Sequence, residues 1–351
     1  MMEPKNGLLS IRNSNIELLR IVCMIMVVVL HFNNHGANNG IVNMPEILTA
    51  RLWKGFIVES FCIVAVNCFV LISGYFSIRL KIKSLLKFYL QCFLIGLFSY
   101  LVYVWLTPNV LNLPLLAERL LAFTHNGWWF VATYLGLMLI SPLLNRAVEQ
   151  LSHKQMLLCI ALYGVVVLYL GWYQGLEITN SGCSLLNFVF LYLIGRYIGI
   201  HVKMETLQRY RWCWLAGYVL AAAVLSGLVW IRYHYSLSLR YLFDYGHPVV
   251  IGEAVLLFLF FVSLSFQSKL VNWLASSVFA AYLIQESTYL GHMWLYLQME
   301  AIFVDIADGW RIVSLLGISI AFVVLSILID KLLGCLSRPI CNILPKKCDF
   351  F

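Results

Sequence analysis

The stretch that decides the fold is residues 15–35, which read N-I-E-L-L-R-I-V-C-M-I-M-V-V-V-L-H-F-N-N-H. Its apolar run is long enough for most of a membrane-spanning helix. Arg20 lies near the start of this run and His31 lies near its end. On an α-helix their spacing is about three turns with ~20° of residual rotation, so both side chains share one face, about 16 Å apart along the axis. Such groups are costly in lipid, so we expect this face to line a polar cavity.

The composition indicates that the whole chain is embedded in a membrane. Of the 351 residues, 62% are hydrophobic and 11% are charged, and the mean hydropathy is +0.86. A soluble domain has about a quarter of its residues charged. The length allows about ten spans of ~20 residues joined by short loops. We therefore predict an all-α polytopic membrane protein with about ten transmembrane helices, in which residues 1–351 form a single domain with no separate soluble domain.

The distribution of Lys and Arg predicts the orientation. If the N-terminus is cytoplasmic, 17 of the 24 Lys and Arg residues fall on cytoplasmic segments and 6 on external ones, with Arg20 inside the first span. Cytoplasmic loops carry the positive excess in membrane proteins, so both termini are predicted to be cytoplasmic. The net charge of +8 then reflects orientation, and we expect no nucleic-acid partner. No cysteine pair or histidine cluster predicts a metal site.

His31 and Arg20 are the first candidates for a functional role. Imidazole is the side chain best suited to proton transfer near neutral pH, although a lone histidine at a helix end is more often an interface anchor. Arg20 is suited to grip a phosphate or a polarised carbonyl of a cytoplasmic donor. Its alternative role is a topological anchor that pairs with Glu17, three residues earlier. The shared face of Arg20 and His31 favours the functional interpretation of the histidine.

A basic run follows the second span, at the face of the membrane where Arg20 is predicted. It contains Arg79, Lys81 and Lys83, which could bind the phosphates of a nucleotide-like group. The ordinary positive charge of a cytoplasmic loop explains the run equally well.

Further polar and aromatic residues interrupt the predicted spans. Carboxylates inside a membrane are functional suspects by default, whereas tryptophans at a span end are expected as interface anchors. The segment 273–297 is the most polar of the predicted spans, so it could be broken or re-entrant. The candidates in this group are Asn67, Tyr75, Trp128, Trp129, Glu253, Tyr282, Gln285 and Glu286.

Four motifs, in order along the chain, resemble those of the membrane acyltransferase-3 family. Arg20 and His31 match the Arg and His that the family carries in its first span with ten residues between them, here with Glu17 three positions before the arginine. The other motifs are F-V-L-I-S-G-Y-F at 69–76, W-W-F-V-A-T-Y-L-G-L-M-L-I-S-P-L-L at 128–144 and S-S-V-F-A-A-Y-L-I-Q-E-S at 276–287. The chain departs from the family at Gln285, where many members carry histidine.

The resemblance implies an O-acyltransferase of the bacterial inner membrane. Acyl-CoA, most directly acetyl-CoA, would be the donor, and a hydroxyl of a surface or lipid-linked glycan would be the acceptor. His31 would act as base, with Glu253 or Asn67 orienting it. Arg20, Glu17 and the 79–83 run would hold the donor, and the remaining candidates would hold the acceptor. Two alternatives stay open: a succinyltransferase of the same family, and a transporter or exporter of glycan or a small solute. The oligomeric state is not predicted.

Overall fold

The protein is described by a computed structural model that covers residues 13–37, 49–107, 112, 128–235 and 242–343. All the regular elements among these residues are helices. The α-helices are α1 (Ser14–Phe32), α2 (Ala50–Cys62), α3 (Ala65–Phe76), α4 (Ile82–Leu106), α5 (Trp129–Glu149), α6 (His153–Gly164), α7 (Leu185–His201), α8 (Met204–Arg209), α9 (Arg211–His234), α10 (Pro248–Ser263), α11 (Lys269–Ala275), α12 (Ala280–Gln285), α13 (Tyr296–Val304) and α14 (Arg311–Ile343). Three π-helical segments, Asn33–Ala37, Val165–Tyr173 and Thr288–Leu295, and the 3-10 segment Glu177–Gly182 complete the set.

Seven segments of the described residues are long and apolar enough to cross a membrane. Two shorter helices, α7 and α10, are also strongly apolar. Large apolar side chains are exposed along α9 and α14, as expected where helices face lipid. The prediction of an all-α polytopic membrane protein is therefore confirmed, while the number of spans and the side of each terminus stay predictions.

Helix α1 lies at the centre of the bundle. It contacts α2, α3, α10, α11, α12 and α14, and its apolar side chains Leu19, Cys23 and Val28 are fully buried. Its start is held by polar contacts: Ser14 Oγ donates to Asn272 Oδ1 over 3.0 Å, and Asn15 Nδ2 donates to the Phe261 carbonyl, also over 3.0 Å. The helix that carries Arg20 and His31 is thus held in place by the helices that surround it.

The tightest crossing joins α3 to α7. A Cβ atom at Gly74 would overlap the carbonyl oxygen of Tyr192, and one at Gly195 would overlap that of Leu71. Small residues let membrane helices approach to backbone contact. Gly74 is therefore explained by packing, and it places the end of α3 against α7. The Ser73 hydroxyl is instead hydrogen-bonded to Tyr134.

Segment 273–297, the polar span for which the sequence suggested a break or a re-entrant path, is broken. It consists of the end of α11, a turn, the six-residue α12, a second turn at Glu286 and Ser287, and a π-helical segment that leads into α13. Ser287 Oγ accepts a hydrogen bond from the Gly291 amide over 3.0 Å and so caps the new helical start. The second break occurs beside the end of α1.

The bundle has two distinct ends. At one of them, which we call the His31 end, lie the end of α1, the start of α2 and the break at Glu286. At the other, the Arg79 end, lie the start of α1, the end of α10 and the turn between α3 and α4. The two ends are those that the charge distribution predicts to be external and cytoplasmic, respectively.

Candidate active site

His31 is held by two side chains from the broken segment. Its Nδ1 atom lies 3.3 Å from Gln285 Oε1 and 3.2 Å from Glu286 Oε1. These residues are more than 250 positions away in the chain, so only the tertiary fold brings them to the end of α1. Both contacts are oxygen acceptors, so the Nδ1 atom of His31 carries the proton in the neutral ring.

The orientation of Gln285 follows from a second contact. Its side chain is fully buried, and its Nε2 atom donates to the carbonyl oxygen of Val28 over 3.2 Å. The amide oxygen is therefore the atom that faces His31. Since Nδ1 donates, Nε2 of the neutral ring is left with a free lone pair and is the basic nitrogen.

Glu286 links His31 to a second imidazole and a phenol. Its other oxygen, Oε2, lies 3.5 Å from His292 Nε2, and the Tyr296 hydroxyl donates to Oε1. The ring of His35 stacks on that of Tyr296 with centroids 4.4 Å apart. We call His31, Gln285, Glu286, His292 and Tyr296 the His31 cluster. Its carboxylate stabilises positive charge on either histidine.

The break after α12 makes the cluster possible. Consecutive residues of a regular helix project about 100° apart and do not face the same neighbour. Gln285 is the last residue of α12 and Glu286 lies beyond it, with φ −90° and ψ 11°. Because the helix ends between them, both side chains turn towards α1. An unbroken span would have directed one of them away from His31.

A cavity adjoins the histidine. Helix α1 contributes Met24, Val27 and His31 to its lining. These three positions lie on the same face of α1 as Arg20, as the helical period predicts. The cavity is narrow, with a volume of about 30 Å³, which is room for about one water molecule. A larger substrate must therefore displace side chains of the wall.

Aromatic side chains form the opposite wall. Trp129, Phe130, Tyr245 and Tyr282 all line the cavity, and the rings of Trp129 and Tyr245 have centroids 5.8 Å apart. Asn67 contributes indirectly, because its Nδ2 atom donates to the Tyr245 carbonyl over 2.9 Å. Of the predicted acceptor-binding residues, Trp129 and Tyr282 reach the cavity itself, and Asn67 supports its wall.

Three other predicted residues lie elsewhere. Glu253 is fully buried on α10, and neither of its oxygens has a hydrogen-bond partner among the described residues, so it does not orient His31 directly. Tyr75 packs edge-on against Phe258 at the Arg79 end. Trp128 is buried at the start of α5. The imidazole is oriented by Gln285 and Glu286, which the sequence had suggested for substrate binding.

The Arg79 end holds a wide cationic pocket of about 560 Å³. Arg79 and Lys81 line it together with Arg146 at the end of α5 and Arg196 on α7. Glu149 is the carboxylate in its wall. Lys83 is the second residue of α4 and is not among the residues that line this pocket. Two of the three residues of the predicted basic run therefore meet two further arginines in one pocket.

Arg20 and Glu17 form an ion pair near the start of α1. Arg20 Nη1 lies 3.2 Å from Glu17 Oε1, and 36% of the arginine side chain is exposed. This is the i, i+3 pairing that the sequence predicts. The exposed guanidinium keeps donors that the pair does not use.

One outer histidine has a structural role. His247 is the N-cap of α10: its Nδ1 atom accepts a hydrogen bond from the Val249 amide over 3.1 Å, and its ring packs edge-on to Trp172. Burial, and then the positive charge of Arg232, lower the pKa of His247 to about 4. It is therefore neutral at pH 7 and caps the helix without joining the His31 cluster.

Sequence reasoning missed several members of the site. His35, His292 and Tyr296 could have been suspected from spacing, since His35 follows His31 by one helical turn and Tyr296 follows His292 by one turn. Tyr245 lies in a connecting segment before α10 and had no signal in the sequence. Arg146 and Arg196 each lie in the last two turns of an apolar helix, where a cation is an ordinary anchor.

Comparison with known proteins identifies the family. The model of the acyltransferase-3 family, described as an acyltransferase domain, matches residues 13–331. No curated protein and no solved structure matches the chain. The family match extends from the residue before α1 to within α14 and includes both the His31 cluster and the cationic pocket. The chain therefore belongs to the acyltransferase-3 family of membrane acyltransferases.

Proposed function

We propose that the protein transfers an acyl group from acyl-CoA, most directly acetyl-CoA, to a hydroxyl of a cell-surface or lipid-linked glycan, with His31 as the general base. The observation that carries this proposal is the contact of His31 Nδ1 with Gln285 Oε1 and Glu286 Oε1. It leaves Nε2 as the basic atom in a residue that lines a cavity. Family membership supports an acyltransferase over a transporter.

The proposed reaction uses one proton acceptor. Nε2 of His31 removes the proton of the acceptor hydroxyl, whose oxygen attacks the thioester carbonyl. The tetrahedral intermediate collapses with cleavage of the carbon–sulfur bond, and the leaving thiolate takes the proton from the imidazolium. The carboxylate of Glu286 stabilises the positive charge that the ring carries between these steps.

The donor would enter from the opposite end of the bundle. The cationic pocket brings four basic side chains together, two of them from the predicted run, and arginine and lysine groups of this kind bind the phosphates of nucleotides. The pantetheine arm would then follow the face of α1 from Arg20 towards His31. This route connects a cytoplasmic donor to an external acceptor in the orientation predicted from the charges.

The cavity favours an uncharged acyl group. Its lining beside His31 includes Met24, Val27, Leu30 and Phe69. Burial of an ionised carboxylate among such side chains is costly unless it is paired. The lining of the cavity therefore favours an acetyl group over a succinyl group. As a separate part of the proposal, the transfer would take place in the bacterial inner membrane.

The test compares ester-linked acyl groups on the surface glycans of cells that express the protein or a variant. We expect His31→Ala to lower transfer by about 10²-fold to 10⁴-fold, as for removal of a general base. The matched control is His234→Ala at the end of α9, where the ring stacks on Trp230. Mass spectrometry of the released acyl groups identifies acetate or succinate.

Near-normal ester content with His31→Ala would contradict the role of His31. Equal loss in the control would show that the change acts through folding. Release of succinate in place of acetate would contradict acetyl-CoA as the donor but would agree with an acyltransferase activity.

A further inference from the structure

We propose that the Tyr282 hydroxyl, together with the start of α5, stabilises the oxyanion that forms when the donor thioester is attacked. Tyr282 lines the cavity beside His31, and so do Trp129 and Phe130, the first two residues of α5. This inference rests on the proposed acyl transfer and adds a second catalytic residue to it. His31 acts on the acceptor hydroxyl, whereas Tyr282 acts on the carbonyl oxygen of the donor.

The hydroxyl of Tyr282 is a buried hydrogen-bond donor. The residue is 5% exposed, and its hydroxyl makes no hydrogen bond to any part of the chain that the structure describes. A buried hydroxyl in this state costs about 1–3 kcal/mol of stability. Phenylalanine would fill nearly the same space without that cost, so packing alone does not explain the hydroxyl.

Helix α12 carries both Tyr282 and a residue that orients His31. Tyr282 and Gln285 are three positions apart on this helix, so their side chains are neighbours on one face. Gln285 Oε1 lies 3.3 Å from His31 Nδ1. The ring of Tyr282 packs against those of Phe130 and Phe279, with centroids 5.9 Å and 5.6 Å away. One short helix therefore positions the base and the buried hydroxyl at the same cavity.

The start of α5 adds a positive field beside this hydroxyl. The Tyr282 hydroxyl lies next to the backbone of Phe130, which belongs to the first turn of this 21-residue helix. The first amides of a helix have no carbonyl partner within it, and Trp128 at the N-cap makes no capping hydrogen bond with its side chain. The start of a helix carries about half a positive charge and favours anions. Negative charge that develops on an oxygen here is therefore stabilised from two sides.

Such charge develops on the donor during the proposed reaction. The acceptor oxygen forms a bond to the carbonyl carbon, and the π electron pair of the carbonyl moves to its oxygen. Tyr282 donates its O–H to this oxyanion and keeps the proton. When the electron pair returns, the carbon–sulfur bond breaks and its electrons leave with the thiolate.

The apolar surroundings strengthen this hydrogen bond. Phe69, Phe130 and Phe279 also line the cavity, and hydrogen bonds to charged groups are stronger in such surroundings than in water. Loss of one oxyanion donor typically lowers kcat by about 10²-fold to 10³-fold. Tyr282 is therefore expected to contribute to the rate of transfer more than to the binding of the donor.

The test measures transfer from radiolabelled acetyl-CoA in inside-out membrane vesicles of the cells that naturally express the protein, which supply the acceptor. We expect Tyr282→Phe to lower kcat by about 10²-fold to 10³-fold and to leave the KM for acetyl-CoA within about twofold, because the oxyanion exists only during the reaction. The Tm should stay the same or rise, because a buried hydroxyl is removed. Tyr163→Phe on α6, where the ring stacks on Phe190, is the matched control and should leave kcat unchanged.

A normal kcat in Tyr282→Phe would overturn the oxyanion role, and so would a higher KM at unchanged kcat. A fall in kcat that comes with a lower Tm would mean a structural role and would overturn it as well. Tyr245→Phe tests the other phenol of the cavity, and a loss of kcat there with normal transfer in Tyr282→Phe would contradict the assignment.

His31→Ala in the same vesicles separates this inference from the proposed function. Transfer that survives His31→Ala would contradict the base itself. Transfer that is lost in His31→Ala but normal in Tyr282→Phe would overturn only the role of Tyr282.

Discussion

The surroundings of Glu286 and those of Glu253 differ sharply, although both carboxylates lie inside the helical bundle, Glu286 partly buried and Glu253 fully buried. Glu286 contacts His31, His292 and Tyr296. Glu253 lies on α10 against α3 and α9, and no hydrogen-bond partner for either oxygen occurs among the described residues. Burial alone therefore does not mark a functional carboxylate. What distinguishes the two carboxylates is their contacts with other titratable groups.

The difference has a structural origin. Glu286 lies at a break in its helix, where the chain turns a polar side chain and its neighbour towards the same histidine. Glu253 lies within the regular helix α10, whose remaining buried positions are nearly all apolar. In a regular helix, the neighbours of a residue are set by the helix face on which it lies. At a break the chain changes direction, so adjacent polar side chains can turn towards the same group.

Among the changes to Glu286, its partner His292 and Glu253, the largest effect is expected for Glu286→Gln. The substitution keeps the shape of the side chain but removes the charge that stabilises the imidazolium, so the transfer rate should fall about 10²-fold. The measurement is kcat for transfer of labelled acetyl from acetyl-CoA by the purified protein. Glu300→Gln on α13 makes the same change outside the cluster and is the control. An unchanged kcat for Glu286→Gln would contradict the expectation that Glu286, unlike Glu253, contributes to the transfer.

A smaller effect is expected for His292→Gln. His292 contacts the second oxygen of Glu286 at 3.5 Å, and 45% of its side chain is exposed. Exposed ion pairs contribute up to about 1 kcal/mol, so kcat should fall about threefold in the same assay. A loss as large as that of Glu286→Gln would mean that His292 takes part in the proton transfer directly.

The smallest effect on activity is expected for Glu253→Met. Methionine fills a similar volume and removes two buried oxygens that have no hydrogen-bond partner among the described residues. We therefore expect kcat to stay within about twofold while the free energy of unfolding rises by about 1–3 kcal/mol. Thermal unfolding in detergent measures the gain, and Glu205→Met at an exposed position on α8 is the control. A loss of activity with intact folding would restore Glu253 as a catalytic candidate.

The position of the proposed base could be predicted from the sequence, but its environment could not. The period of the α-helix places Arg20, Met24, Val27 and His31 on one face, and the structure shows the last three lining a cavity. The break near residue 286 was suggested by the polar composition of segment 273–297. The register of that break against α1 depends on packing between distant segments.

The sequence by itself determined that this is an all-helical membrane protein, that α1 carries Arg20 and His31 on one face, and that the chain resembles the acyltransferase-3 family. Hydropathy, helical period and ordered motifs are local properties, so they need no knowledge of neighbours. Only the tertiary structure decided that Gln285 and Glu286 hold His31, that Glu253 does not, and that Arg79 joins Arg146 and Arg196. These contacts join residues far apart in the chain, and their geometry follows from how helices pack.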